Sequence, residues 1–286
     1  MESINVAGPG CVCKSAGGGP NRRESRFDHG PRRHTNLFSD GTRRTTGQPA
    51  ATPGPVLSVR GLRHRLDGET VLDDVAFDVR EGEGFGLTGS AALLDTIGRT
   101  TIVRMVCGLM PADPGVVLAG GQPVGGTDDD PLDDPAAYVA HSVAVTASLT
   151  VGDTVRLWAR LLGLPGTLGR ERAMEVLALA RIEEHTQTPV GRCPDGVLRE
   201  MGLAVALLRR PRLLVLDEPT RGLNPRSRER LLETVNRVRG GGTAVLYAGR
   251  DVAEVREVCD RIGVLDRGRL VAQGRPEELP RLLTAA

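Results

Sequence analysis

The chain has 286 residues, 37 of them basic and 36 acidic, for a net charge of +1, so no global field marks it for nucleic acid and none is expected as a partner. Hydrophobic residues make up 40% but aromatics only 2%, so Leu, Val, Ile and Ala must fill any core. No apolar run reaches the roughly 18 residues of a membrane-crossing helix, and the N-terminus lacks the apolar segment of a secretory signal.

Residues 1–54 are rich in Gly, Pro, Ser, Thr and Arg. They bury too little apolar surface to offset chain entropy, so a disordered tail is expected. Cys11 and Cys13 fall there and Cys107, Cys193 and Cys259 further on. The spacing matches no zinc template, and a reduced, cytosolic chain is expected. From Val56 the pattern changes. Val56–Val59 and Val71–Val79 alternate apolar and polar residues around an Asp67-Gly68 turn, as half-buried strands at a sheet edge do. A strand is expected near Phe85–Leu87, then a loop, then a helix from about Arg99 to Gly108. Residues 116–134 read as a short strand and an acidic, Gly-rich loop. Residues 151–181 read as one or two helices, and Gly196–Leu208 as another. A strand is expected at Leu213, a helix over Arg226–Arg239, a strand over Thr243–Tyr247, a helix over Val252–Cys259, and two short strands over Arg261–Val271. Strands alternating with helices predict a mostly parallel α/β sheet with helices on its faces.

The most informative run is Leu213–Pro225, LLVLDEPTRGLNP. Four apolar residues end in Asp217 and Glu218, then Pro219, as a buried strand that finishes in two carboxylates. Such a pair is costly at a buried strand end unless a cation or polar group uses it.

Five ordered segments, VRGLRHRL…VLDDVAFDVREGE, TTIVRMVCGLMPADPG, SLTVGDTVRLWARLLGL, LLVLDEPTRGLNPRSR and VCDRIGVLDRGRLVAQGRPEEL, resemble the ATP-binding subunit of ABC transporters, most of all the drug-resistance exporter type. The resemblance covers about residues 56–284. It implies a RecA-like P-loop NTPase fold with an antiparallel β edge, one domain over 55–286, and a helical subdomain at about 142–208. It also implies ATP and Mg²⁺ as cofactors and a transmembrane permease as partner. The subunit would pair as a homodimer, or as a heterodimer with another ATP-binding subunit, at the inner face of the plasma membrane. Asp217 then falls where the family holds Mg²⁺, and Glu218 where it polarises the attacking water.

The phosphate loop departs from the family pattern. A P-loop reads G-x-x-x-x-G-K-[ST], its backbone N–H groups wrapping phosphates and its lysine reaching the terminal ones. Here eight residues, SAALLDTI, separate Gly89 from Gly98, and Arg99 stands in the lysine position before Thr100 and Thr101. Leu93, Leu94 and Ile97 disfavour the positive φ such a loop needs, and Asp95 brings a negative charge close to where phosphates would lie. Arg99 keeps the charge, but its fork is larger and aimed differently. Each lost charge-assisted contact costs about 1.5–3 kcal/mol, so losing two weakens affinity by about a hundredfold or more. Thr100 matches the hydroxyl that meets Mg²⁺, and the helix start after it favours anions.

Other family positions fall as follows. The adenine-stacking aromatic falls on Leu66, which packs without stacking. The Q-loop glutamine falls on His141. The signature falls on Cys193 to Val197, where Pro194 removes a hydroxyl and a donor and Asp195, beside Gly196, repels phosphate. The D-loop aspartate is Asn224. The switch histidine falls on Arg250, which could pair with Glu218 or meet a γ-phosphate but cannot shuttle a proton. In the family each ATP lies between one subunit's P-loop and the other's signature, and both are altered here. The expectation is an exporter subunit with weak or absent turnover. The alternative is an inactive pseudo-ATPase that scaffolds or regulates a transporter.

Overall fold

The computed structural model describes residues 54–89, 92–113, 116–124, 136–139, 146–164 and 166–279. The chain opens with β1 (Leu57–Leu66) and β2 (Glu69–Val79), an antiparallel pair in which Leu66 faces Glu69. The expected turn between them is present: Asp67 and Gly68 both have positive φ, 49° and 86°, as a tight two-residue hairpin turn requires. Then come β3 (Gly84–Gly89), α1 (Leu93–Val106), β4 (Val117–Ala119), β5 (Gln122–Pro123) and β6 (Ala136–Val139). Helices α2 (Val151–Leu161), α3 (Gly166–Leu179) and α4 (Asp195–Ala206) follow. The chain continues through β7 (Leu213–Asp217), α5 (Pro225–Gly240), β8 (Ala244–Ala248), α6 (Val252–Val258), β9 (Arg261–Asp266) and β10 (Arg269–Gly274).

Two sheets result. The smaller is antiparallel in the order β2-β1-β4-β5, and the larger runs β10-β9-β3-β8-β7-β6. Within the larger, β9, β3, β8, β7 and β6 are parallel and β10 is an antiparallel edge. The central strands are continuous apolar runs because both faces are covered. Side chains alternate between two cores. Leu214, Leu216, Val245 and Tyr247 face a cluster with α2 to α6, whereas Leu213, Val215, Ala244 and Leu246 face α1 and the β1–β2 hairpin. Among the described residues no helix is long and apolar enough to cross a membrane.

The strand and helix expectations largely hold, with two corrections. Residues 136–139 form a parallel strand beside β7 that the sequence pattern did not mark, because Ala-Ala-Tyr-Val is short and only its last residue is fully buried. The second concerns the phosphate loop. The helix expected to begin near Arg99 begins at Leu93. Residues 93–98 are thus part of the helix, and no residue of α1 has positive φ. Gly98 does not break the helix, because its missing side chain admits a close neighbour. A Cβ there would lie 2.9 Å from Leu265 Cδ2 and 3.3 Å from Leu72 Cδ2.

Candidate functional site

Three parallel strands end along one edge of the larger sheet, β3 at Gly89, β7 at Asp217 and β8 at Ala248. The edge beyond the carboxyl ends of such strands is the usual place for a site. Each strand delivers a different group. β3 leads towards α1, β7 leads into Glu218, and β8 leads through Gly249 into Arg250. The ends are tied together by backbone bonds: Glu218 N–H donates to Ala248 O at 2.8 Å, and Gly249 N–H donates to Leu87 O at 3.0 Å.

Burial pushes the Asp217 carboxyl up from its ordinary range, opposed by the Thr100 hydroxyl that donates to it; Glu218 adds repulsion, and Arg99 and Arg104 pull it back. Thr100 and Asp217 are thus brought together as the resemblance implied for a cation pair. Glu218 follows in the left-handed region, φ 44°, a conformation that costs a non-glycine residue about 1–3 kcal/mol. Arg250 Nε lies 3.0 Å from Glu218 Oε1. The Glu218 carboxylate therefore already has a cationic partner.

Arg99 sits a turn and a half inside α1 and is only 2% exposed. Its Nη2 donates to Thr96 Oγ1 at 3.4 Å, and its Nη1 lies 3.2 Å from where a Cβ on Gly89 would stand. The guanidinium thus folds back to the end of β3. Burial pulls its pKa down, while Glu218, Asp95 and Asp217 favour its charged form and Arg250 opposes it. Asp95, 1% exposed, lies inside this charge cluster rather than on an open loop.

These positions test the fit of ATP and Mg²⁺. Thr100 and Asp217 suit a hard cation. Among the described residues the phosphate end does not fit: a cradle needs a loop of backbone N–H groups ahead of the helix. Here Gly98 and Arg99 are helical, and the guanidinium lies against the strand end where phosphate would be received.

The remaining expected residues divide. Gly89, Arg99, Thr100, Asp217, Glu218 and Arg250 converge; Gly98 serves packing, and Thr101 is buried in α1. His141 lies outside the described residues. Leu66, the last residue of β1, is 45% exposed. Asp195 and Gly196 open α4, and Asn224 caps α5 by accepting from Ser227 N–H at 3.0 Å. Gly196 and Asn224 both approach Ser227, since a Cβ on Gly196 would lie 2.3 Å from its Oγ. A buried group beside these residues that the sequence pattern does not mark is Glu254, which accepts from Thr220 and Tyr247. Its only signal was a carboxylate within an apolar helix pattern four residues after Arg250.

The family model described as ABC transporter matches residues 72–221, more than half of the chain. The chain is 30% identical over 224 residues to the linearmycin resistance ATP-binding protein LnrL of Bacillus subtilis (strain 168), covering 78% of this chain and 70% of the relative. It is 33% identical over 225 residues to the Nod factor export ATP-binding protein I of Ralstonia nicotianae, covering 79% and 68%. The solved ATP-binding subunit of an ABC transporter superposes with a TM-score of 0.67 at 26% identity, covering 81% of this chain and 95% of that one. The fold of cbiO1 from Clostridium perfringens gives 0.70 at 23% identity, covering 80% and 92%. The chain belongs to the ABC transporter family, as a member of its ATP-binding subunits.

Proposed function

We propose that the chain is the ATP-binding subunit of an ABC exporter whose membrane path is supplied by a separate permease, and that its hydrolysis of ATP is weak or absent. Support for the exporter reading comes from the relatives, one conferring linearmycin resistance and one exporting Nod factor. Leu157 and Leu161 on α2 and Leu168 and Met174 on α3 are exposed apolar residues, a surface suited to a partner. The subunit would work at the inner membrane face, in a homodimer or with a second ATP-binding subunit.

One observation carries the reading of weak turnover: Arg99 is buried within α1 with its guanidinium turned to the end of β3. The groups that would act on a nucleotide are instead engaged with each other. Thr100 donates to Asp217, and Arg250 pairs with Glu218. When bound, Mg²⁺ would neutralise phosphate charge, with Thr100 and Asp217 as the residues to hold it. Glu218 would orient water only after release from Arg250. An arginine at that position has no proton to exchange near neutral pH. The same observation supports the second reading, a pseudo-ATPase that scaffolds or regulates a transporter.

The test is the rate of Mg-ATP hydrolysis by the purified chain, alone and with its permease, beside a Glu218→Gln variant. The expected result is a rate near background in both. A turnover of about 1 s⁻¹ or more, abolished by Glu218→Gln, would contradict the proposal.

A further inference from the structure

Glu254 lies outside the groups assigned above, yet it is 6% exposed and ionisable. Burial of a carboxylate is costly unless its oxygens are paired. Here both are. Oε2 accepts from the Thr220 hydroxyl at 2.5 Å and from the Tyr247 hydroxyl at 2.8 Å. Oε1 lies 2.8 Å from Arg228 Nε. Arg228 Nη2 also reaches Asp251 Oδ2 at 3.3 Å, and Asp251 Oδ1 accepts from Ala253 N–H, capping α6. One side chain therefore joins the turn after β7, the strand β8, the first part of α5 and its own helix α6. Burial and the neighbouring Glu254 hold the Tyr247 hydroxyl in its neutral, donating form.

These elements also carry Glu218 and Arg250. Thr220 stands two residues after Glu218, in a turn where Arg221 N–H donates to Glu218 O at 3.1 Å and Leu223 N–H to Thr220 O at 3.0 Å. Asp251 directly follows Arg250. Glu218 has φ 44° without being glycine, and such a conformation persists only where the surroundings impose it. Its own N–H is held by Ala248 O. On its other side Arg221 N–H ties its carbonyl, and the Thr220 hydroxyl bound to Glu254 fixes the side chain of that turn.

We propose that Glu254 is the positioning residue of the Glu218–Arg250 pair. It holds Thr220, Tyr247 and Arg228 together, fixes the backbone flanking both partners, and keeps Glu218 in its left-handed conformation. The proposal rests on the reading that Glu218 and Arg250 are the working pair of the site, but it holds whether or not the chain turns over ATP.

The experiment therefore reads the pair directly in the nucleotide-free full chain. The Arg250 Nε–H signal is followed by ¹⁵N NMR, assigned by its loss in Arg250→Lys. Glu218→Gln marks the unpaired position. The expected result is that Glu254→Gln moves the signal towards that position and speeds its hydrogen exchange about tenfold, the effect of losing one charged hydrogen bond. Glu200→Gln is the control: Glu200 is also buried, and it pairs with Arg230 at 2.9 Å rather than with Thr220, Tyr247 or Arg228. It leaves the signal in place. If Glu254→Gln does not fold, Tyr247→Phe, which removes one donor and keeps the ring, carries the test with a shift in the same direction. An unmoved signal in the deciding variant would overturn the proposal, as would an equal shift in Glu200→Gln. A parent signal already at the unpaired position would overturn the ion pair itself. The rate of ATP turnover, measured separately, decides the functional reading.

Discussion

At position 99 the sequence shows a cation where the family pattern has lysine, and the charge, though not the direction, was legible. A lysine in a P-loop reaches forward from a helix start. Arg99, placed inside the helix, reaches back to Gly89 and into the field of Glu218 and Asp95. Nothing in the residue types fixes that choice, because it depends on where the helix begins. Asp217 and Glu218 were legible because two carboxylates at an apolar strand end have few uses. Glu254 and Glu200 were not, because one acid in a helix pattern reads as solvated. Burial raises the Glu200 carboxyl to about 7 from 4.5, with Arg230 and Arg181 opposing the rise. An acid whose folded pKa is raised contributes stability that is full below the unfolded pKa and is lost as pH climbs through the folded value. Between about pH 4.5 and 7 the parent should therefore lose stability relative to Glu200→Gln. Thermal melts across that window should show the variant gaining on the parent as pH rises; a constant gap would count against it.

The elements show why the phosphate loop was misread. The P-loop spacing reads residues 90–97 as an enlarged loop and starts the helix at Arg99. Within that segment, Leu93, Leu94, Asp95 and Ile97 extend a helix well, an acid in the first turn meets the positive end of the dipole, and Gly98 is used for close approach to Leu265 and Leu72. Hydrophobic period and helix propensity won over the glycine. The short strand β6 was missed for the opposite reason, too few residues to show a period. The hairpin, the parallel strands and the paired helices α2 and α3 were readable because their patterns run longer. Gly89 shows what the sheet itself demands. A Cβ there would lie 2.3 Å from Leu265 O in the neighbouring strand β9. Gly89→Ala should cost about 1–3 kcal/mol through this overpacking, read as a lower midpoint in denaturant unfolding. An unchanged midpoint would show that β3 and β9 have room to part.

For the whole molecule, ancestry and chemistry were legible to different degrees. Ordered segments spread over the chain give the ABC family, the parallel sheet with its antiparallel edge, and helices on both faces. On the proposed function, activity depends on a few ångströms at one strand end. α1 begins at Leu93 and brings Arg99 to Gly89, and Arg250, where the resemblance puts the switch histidine, lies beside Glu218. Each carboxylate of the strand end has a partner within the chain. On the proposed function, Arg99 occupies the phosphate end rather than serving it. Titration calorimetry of Mg-ATP into the parent and into Arg99→Ala tests this most directly. The predicted result is weak binding by the parent that stays the same or tightens when the guanidinium is removed. Tight binding by the parent that falls tenfold or more in Arg99→Ala, about 1.4 kcal/mol, would contradict it.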